Sequence, residues 1–226
     1  MAESRALLLI ADIGGYTKYM SLHRVGLAHA QANIARLLEA VIDAAPGLEL
    51  IELEGDAVFL SRRADGDDAK TATDAALAMH RSFHDVQRLV IENLCPCEGC
   101  SRAGDLTIKF VAHVGDVVSQ NVRNRETLVG PDVILVHRLL KNDVPIPEYV
   151  LFSGDLYGGA DGVPLEQELE GLGSVQTYFL DLRQVADTLP PAEAPSLGKR
   201  LGETVSVLGR GMPFLLGLRR QHAEAH

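Results

Sequence analysis

The chain has 226 residues, of which 46% are hydrophobic and 23% are charged, a composition typical of one globular domain followed by a tail. Twenty-one basic residues against 31 acidic ones leave a net charge of −10, which argues against a nucleic-acid binder but is compatible with a nucleotide held through metal ions. No segment approaches the roughly 18 consecutive apolar residues of a membrane span, and no signal peptide is evident, so we expect a cytoplasmic protein.

Hydrophobic periodicity predicts alternating strands and helices along the first 182 residues. The run 6–11 is apolar on both faces, as in a buried strand, and the glycine and proline residues that follow each periodic segment mark its end. The predicted elements are a strand at 5–12, a helix around 34–42, a hairpin at 48–53 and 57–61, a helix ending near 92, a strand pair over 106–118 bent near Gly115, a helix from about 132, a strand at 149–153, and a hairpin at 165–170 and 175–182.

This order predicts an α+β domain with helices packed on one face of a mostly antiparallel sheet. We place the domain at 1–183, a proline-containing linker at 184–198 and a basic, apolar tail at 199–226. Contact of the tail with a membrane surface or a partner is one interpretation. Packing against the acidic parent domain is the other, and the one we favour.

Two aspartates stand at predicted strand ends, each within two residues of a glycine. Asp12 ends the first strand just before Gly14 and Gly15, and Asp56 follows Gly55 in the turn of the hairpin. Glycine lets a phosphate approach the backbone closely, and two carboxylates can hold divalent ions that neutralise a triphosphate and activate an attacking hydroxyl. Taken alone, an Asp close to a Gly more often belongs to a structural turn, so the surrounding motifs decide whether this pair indicates a metal site.

Five segments resemble motifs of class III adenylyl and guanylyl cyclase domains, in the family order. Residues 12–17, Asp-Ile-Gly-Gly-Tyr-Thr, resemble the metal-binding signature Asp-Ile-x-Gly-Phe-Thr. Residues 54–57 resemble the second metal turn, and 113–115 the His-x-Gly strand. Residues 130–138 and 175–180 are similar to a helix start and the closing strand. The chain thus looks like a divergent bacterial member of that family, which implies its ferredoxin-like α+β cyclase fold.

The resemblance implies a nucleotide site shared by two copies of the chain in a head-to-tail homodimer. Asp12, Asp56 and the carbonyl of Ile13 would bind Mg²⁺ or Mn²⁺, and amides at the next helix N-terminus would hold the phosphates of ATP or GTP. Arg138 of the second subunit would stabilise charge on the α-phosphate. The implied residues are Asp12, Asp56 and Arg138 for catalysis, and Ile13, Gly14, Gly15, Tyr16, Thr17, Glu52, Gly55 and Thr127 for the nucleotide.

Departures from the family pattern fall on the ribose and base positions. Ile134 stands where the family has a ribose-orienting Asn, and loss of such a donor costs on the order of 10²–10³ in rate. Glu52 resembles guanylyl cyclases, whereas Thr127 also occurs in bacterial adenylyl cyclases. We therefore expect metal–nucleotide binding with weak or no cyclase activity. The alternative is an active cyclase that makes cAMP or cGMP plus pyrophosphate.

The chain's three cysteines, Cys95, Cys97 and Cys100, lie in an insertion at about 94–104 that typical members of the family lack. In a reducing compartment such clustering favours a metal site over disulfides. Zn²⁺ with a fourth ligand from a histidine or the second subunit is one interpretation, and a reduced thiol loop is the other. A P-loop enzyme and a serine hydrolase are disfavoured because neither Gly-x-x-x-x-Gly-Lys-Ser/Thr nor Gly-x-Ser-x-Gly occurs.

Overall fold

A computed structural model describes residues 3–22, 27–92, 98–123, 125–159 and 161–187. Its elements are β1 (Glu3–Gly14), α1 (Tyr16–Leu22), α2 (Leu27–Asp43), β2 (Glu49–Glu54), β3 (Ala57–Arg63), α3 (Asp68–Glu92), α4 (Glu98–Arg102), a 3-10 turn (Ala103–Asp105), β4 (Thr107–Val122), β5 (Arg125–Val129), α5 (Pro131–Arg138), β6 (Tyr149–Ser153), β7 (Val163–Leu169), β8 (Gly173–Asp181) and α6 (Leu182–Asp187).

The strands form one eight-stranded sheet in the order β2-β3-β1-β4-β6-β8-β7, with β5 paired to β4 beside this path. Strands β4 and β6 run parallel, and the other pairings among the described strands are antiparallel. β1 lies between β3 and β4, where Asp12 pairs with Ala57 on one side and with Lys109 on the other. The end of β1 therefore has a neighbouring strand on both sides.

Two hydrophobic clusters cover the two faces of the sheet. Leu7 and Leu9 of β1 join the cluster that contains α2 and α3. Leu8 and Ile10 join a second cluster with α5. Because successive side chains of a strand point to opposite faces, the run that is apolar on both faces is explained by helices on both sides. The expected mostly antiparallel α+β sheet is confirmed, and the short helix α5 adds a layer opposite the two long helices.

Three details differ from the sequence predictions. The strand pair predicted at 106–118 is instead one continuous strand, β4, which begins at Thr107 and has Gly115 in its interior, and the hairpin turn comes later, at Arg123. The first helical region contains a separate helix, α1, before α2. Helix α6 reaches Asp187, so it enters the predicted linker. The rest of the linker and the whole of the 199–226 tail lie outside the described residues, and the domain boundary stays a prediction.

The outer strand β2 is exposed along most of its length. Leu53 is 56% exposed, and the strand carries the carboxylates of Glu49, Glu52 and Glu54. At the opposite edge, β7 includes Pro164 and exposed glutamates. Charges and proline are typical of edge strands, because both discourage pairing with a further strand.

Candidate nucleotide and metal site

The end of β1 and the β2–β3 turn bring Asp12 and Asp56 together. The Ile13 amide donates a hydrogen bond of 3.1 Å to the Asp56 carbonyl, which ties the two strand ends to each other. Gly55 makes the turn with φ +72°, a conformation that favours glycine. The Asp12 side chain remains 22% exposed and its charge acts on Asp56, so the two carboxylates lie near each other at a place that solvent reaches.

Burial and the neighbouring charge both act on Asp56. Its pKa is raised, first because burial disfavours the charged form and then because of the negative charge of Asp12, although Lys109 opposes the shift. Two carboxylates that repel each other in a partly desolvated place gain from a bound cation. Oxygen ligands of this kind suit Mg²⁺ and Mn²⁺, so the residues present fit the ions that the family resemblance implies.

Lys109 is a site residue that the sequence analysis missed. Its Nζ lies 3.3 Å from Asp12 Oδ2 and donates a 3.0 Å hydrogen bond to the Leu140 carbonyl. Both ends of this ion pair are largely shielded, with Lys109 25% exposed. The sequence did carry a signal for it, since Lys109 is the single cation inside the otherwise apolar run 108–112. A charged residue in a buried strand needs a partner.

The segment after Asp12 turns sharply into α1. Gly15 has φ +84°, and the first helical hydrogen bond of 2.9 Å runs from the Tyr19 amide to the Gly15 carbonyl. Ile13 is buried, with 1% of its surface exposed, so only its backbone is available to a ligand. Tyr16 donates a 3.5 Å hydrogen bond to Gln31 of α2. The amides of the first helical turn have no helical acceptor, which is the arrangement expected for holding phosphate.

The positions implied for the base and ribose lie on three elements, β2, β5 and α5. Glu52 is exposed on β2 opposite Phe59, whose side chain packs on the α5 side of the sheet. Thr127 is on β5 opposite Gln120. Ile134 is 52% exposed on α5. Arg138, also on α5, lies against the β7–β8 turn, with Nη1 3.8 Å from the Cβ position of Gly171.

A cleft of about 560 Å³ lies between α5 and the β7–β8 hairpin. Both Ile134 and Arg138 border it, so the structure groups these two residues together, and neither aspartate is among the lining residues. The cleft is lined by Val133, Ile134, His137, Arg138, Lys141, Glu168, Leu169 and Glu170.

Asp132 fixes the start of α5 to β4. Its Oδ2 accepts a 2.6 Å hydrogen bond from the Asp116 amide, and its Oδ1 lies 3.2 Å from His113 Nε2. His113 Nδ1 is 2.6 Å from Ser153 Oγ on β6. A Cβ on Gly115 would overlap the Asp132 carboxylate. Gly115 therefore makes room for this contact, and the buried His113 serves packing between strands.

The predicted cysteine site is described only in part. Cys100 is buried on α4, and its Sγ lies 3.2 Å from His29 Nε2 and 3.8 Å from Asn33 Nδ2 on α2. Cys95 and Cys97 lie outside the described residues. Zinc binding by the cysteines stays a prediction, and His29 is the histidine placed to act with Cys100.

Comparison with known proteins identifies the family. A family model described as Protein of unknown function (DUF2652) matches residues 34–149. The uncharacterized protein Rv2561/Rv2562 of Mycobacterium tuberculosis (strain ATCC 25618 / H37Rv) is 36% identical over 194 residues, which cover 83% of this chain and 91% of that protein. This chain belongs to the DUF2652 family.

Solved structures similar to this DUF2652 chain are cyclase domains. The guanylyl cyclase Cya2 has a TM-score of 0.63 at 16% identity, covering 79% of this chain and 92% of that one. The guanylate cyclase domain of RhGC from Catenaria anguillulae, in complex with GTP, has a TM-score of 0.58 at 20% identity and covers 79% and 97%. The adenylyl cyclase CyaB from P. aeruginosa gives 0.58 at 18%, covering 80% and 95%.

These similarities establish that the DUF2652 chain has the class III cyclase fold, as its motifs predicted. At such identities they speak for the fold alone. A search of the helices within the described residues finds none with the length and apolar character needed to cross a membrane.

Proposed function

We propose that this chain binds a metal–nucleoside triphosphate between two copies of itself, with weak or no cyclase activity, in the cytoplasm. The observation that carries the proposal is the adjacency of Asp12 and Asp56, at the end of β1 and in the β2–β3 turn. Burial raises the pKa of Asp56, and the negative charge of Asp12 raises it further. The GTP complex of a cyclase domain with the same fold supports a nucleotide as the ligand.

Each half of the proposed site has its own task. Asp12 and Asp56 would hold Mg²⁺ or Mn²⁺, which supplies charge neutralisation for the triphosphate when bound. Amides at Tyr16 and Thr17, in the first turn of α1, would donate to phosphate oxygens. Arg138 of the partner copy would contact the α-phosphate, and Glu52 and Thr127 would contact the base. Glu52 favours guanine, whereas Thr127 is also compatible with adenine, so both ATP and GTP should be tested.

Weak turnover follows from Ile134. The residue is 52% exposed on α5, in the position where class III cyclase domains have a ribose-orienting Asn. An isoleucine leaves the sugar hydroxyls without that donor, and removal of one well-placed donor lowers rates by about 10²–10³. Binding draws on the metals and phosphates as well, so it survives better than turnover.

An active cyclase is the second candidate. The observation that favours it is the retention of Asp12, Asp56 and Arg138 on the cyclase fold, together with Lys109 close to Asp12. These residues supply the metal and phosphate parts of the reaction. Both candidate functions predict nucleotide binding, but only the active cyclase predicts robust formation of cyclic nucleotide.

The deciding experiment compares the wild-type chain with Asp56→Asn. We expect Mn²⁺-dependent binding of fluorescent ATP and GTP analogues in the wild type. Asp56→Asn should weaken it at least about 100-fold, because it removes a metal ligand, whereas loss of a mere supporting contact costs about 10–100-fold. Asp74→Asn, which removes an exposed carboxylate on α3, is the matched control.

Two results would contradict the proposal. A nucleotide affinity that is unchanged by Asp56→Asn would refute the site. Robust formation of cAMP or cGMP by the wild type, abolished by Asp56→Asn, would replace weak turnover with the active cyclase.

A further inference from the structure

A cluster of two histidines and a glutamate lies apart from the proposed nucleotide site. His80 and His84 are four residues apart on α3 and so share one face of the helix. Glu148 comes just before β6, and 68 positions of sequence separate it from His80. The Glu148 side chain is only 1% exposed and His80 only 6%, whereas His84, at 31%, opens the cluster to solvent.

The ligand atoms of the cluster converge. His84 Nε2 is 3.0 Å from Glu148 Oε1, and His80 Nε2 is 3.2 Å from Glu148 Oε2. One atom from each of the three residues lies within 4.8 Å of the others. Ligands of a tetrahedral ion with bonds of about 2.0–2.1 Å are about 3.3 Å apart, so a small shift lets one ion contact all three.

Gln87 determines which nitrogen of His84 faces the cluster. Its Nε2 donates to the Ala103 and Leu106 carbonyls at 2.8 and 2.7 Å, which leaves Oε1 as an acceptor 2.8 Å from His84 Nδ1. The proton must therefore be on Nδ1, and Nε2 points at Glu148. A hydrogen bond that orients the ring and fixes its tautomer in this way is typical of histidines that bind metals.

Glu148 is held in a manner that leaves one oxygen for a ligand. Arg183 Nε donates to Oε2 at 2.8 Å. Oε1 is buried and accepts no well-aligned hydrogen bond from the described part of the chain, although His84 Nε2 is close. Carboxylates that bind metals are commonly hydrogen-bonded through their second oxygen.

We propose that His80, His84 and Glu148 bind a divalent transition-metal ion, with Zn²⁺ the best fit to two imidazoles and one carboxylate. The ion would join α3 to the start of β6 and, through Arg183, to α6. Three protein ligands leave a fourth position, on the solvent side of His84, for water. This site is separate from the carboxylate pair at Asp12 and Asp56.

Cobalt titration of the full chain tests the site. Co²⁺ replaces Zn²⁺ and is coloured, and thiolate ligands add an intense near-ultraviolet band that imidazole and carboxylate ligands lack. Every variant carries Asp56→Asn, so that the nucleotide site contributes nothing. We expect one Co²⁺ component without the thiolate band, weakened at least about 100-fold by His84→Gln or Glu148→Gln.

Two further variants make the result decisive. Asp85→Asn removes an exposed carboxylate, 43% accessible, from the same helix and should leave Co²⁺ binding unchanged. Arg183→Gln should weaken it about 10–100-fold, because it removes the hydrogen bond that holds the second oxygen of Glu148. That variant also keeps the test valid if Glu148→Gln does not fold. Absence of a thiolate-free component, or equal uptake by the His84→Gln and Asp85→Asn chains, would overturn the proposal and leave an ion-pair network.

Discussion

At the scale of single residues, Lys109 partly offsets the negative charge of Asp12 and Asp56, the proposed metal ligands. Its ammonium group contacts Asp12 at 3.3 Å and opposes the rise in the pKa of Asp56. The Leu140 carbonyl holds it there. The aspartates thus share a resident cation that partly neutralises them and competes with an incoming metal ion.

Replacement of Lys109 by Met should make this competition visible. We expect Lys109→Met to bind free Mn²⁺ about fivefold more tightly, since a shielded ion pair of this kind contributes about 1 kcal/mol. Titration followed by electron paramagnetic resonance measures the free ion directly. Lys70→Met, which removes an exposed lysine paired with Asp74 on α3, should leave the titration as in the wild type. Unchanged or weaker Mn²⁺ binding by Lys109→Met would show that the lysine does not compete with the metal.

Ile134 offers a gain-of-function prediction. Its exposed side chain can be exchanged at little cost in stability, within about 0.5 kcal/mol, so Ile134→Asn should fold normally. We expect cyclic nucleotide formation to rise at least about tenfold, toward the 10²–10³ that such a donor contributes elsewhere. Product chromatography after incubation with ATP or GTP and Mn²⁺ measures it. Ile91→Asn, at a 41% exposed position on α3, is the control, and an equal rise there would remove the argument.

Residues close in sequence were easier to predict than residues brought together by the fold. The aspartates at positions 12 and 56 were predicted to act together because each stands within two residues of a glycine at a strand end, a local pattern. Glu148 was missed because no local pattern joins it to His80, 68 positions away. The histidine pair on α3 was visible in the sequence, but two histidines at helical spacing do not identify their third partner.

Among the elements, α5 depends on β4 for its position. The Asp132 carboxylate reaches the Asp116 amide over Gly115, and no side chain larger than hydrogen fits at that glycine. Since α5 carries both Ile134 and Arg138, the fit at Gly115 also determines where those two residues face the cleft.

Gly115→Ala should therefore lower the free energy of unfolding by about 1–3 kcal/mol, the usual cost of overpacking. Urea unfolding measures it. Gly47→Ala is the matched control, because nothing lies within 4 Å of a Cβ at that position. The double variant Gly115→Ala with Asp132→Ala should lose less than the sum of its parts, since Asp132 is the group that the methyl displaces. Strict additivity would mean that the two residues do not compete for space.

The elements themselves were largely predictable, and the errors have physical causes. β1, the β2–β3 hairpin, α3 and β6 follow from periodicity and turn residues. The bend expected at Gly115 was wrong because that glycine accommodates the Asp132 carboxylate and β4 continues through it. A close approach of this kind comes from tertiary packing, and the sequence of the strand carries no sign of it.

For the whole molecule, the central prediction is that each nucleotide site uses two chains. Arg138→Ala alone should weaken binding about 10–100-fold, the value of a charge-assisted hydrogen bond. If Asp56 and Arg138 act from different copies, co-expressed Asp56→Asn and Arg138→Ala chains form mixed dimers with one intact site each. About a quarter of all sites should then bind the nucleotide analogue with wild-type affinity.

Equilibrium titration of the mixed sample measures that fraction, and light scattering gives the oligomeric state. The two variants purified separately and assayed without exchange provide the baseline. A mixture that binds no better than this baseline would contradict a site shared between subunits, whatever its mass.

The edge strands β2 and β7 affect how copies of this chain can associate. β2 presents a row of glutamates along one border, and β7 lacks one amide donor at Pro164 on the other. Two molecules approaching side by side would meet like charges or a missing hydrogen bond. Addition of a further strand at either of these edges is thus penalised, which disfavours growth of fibres in a concentrated solution.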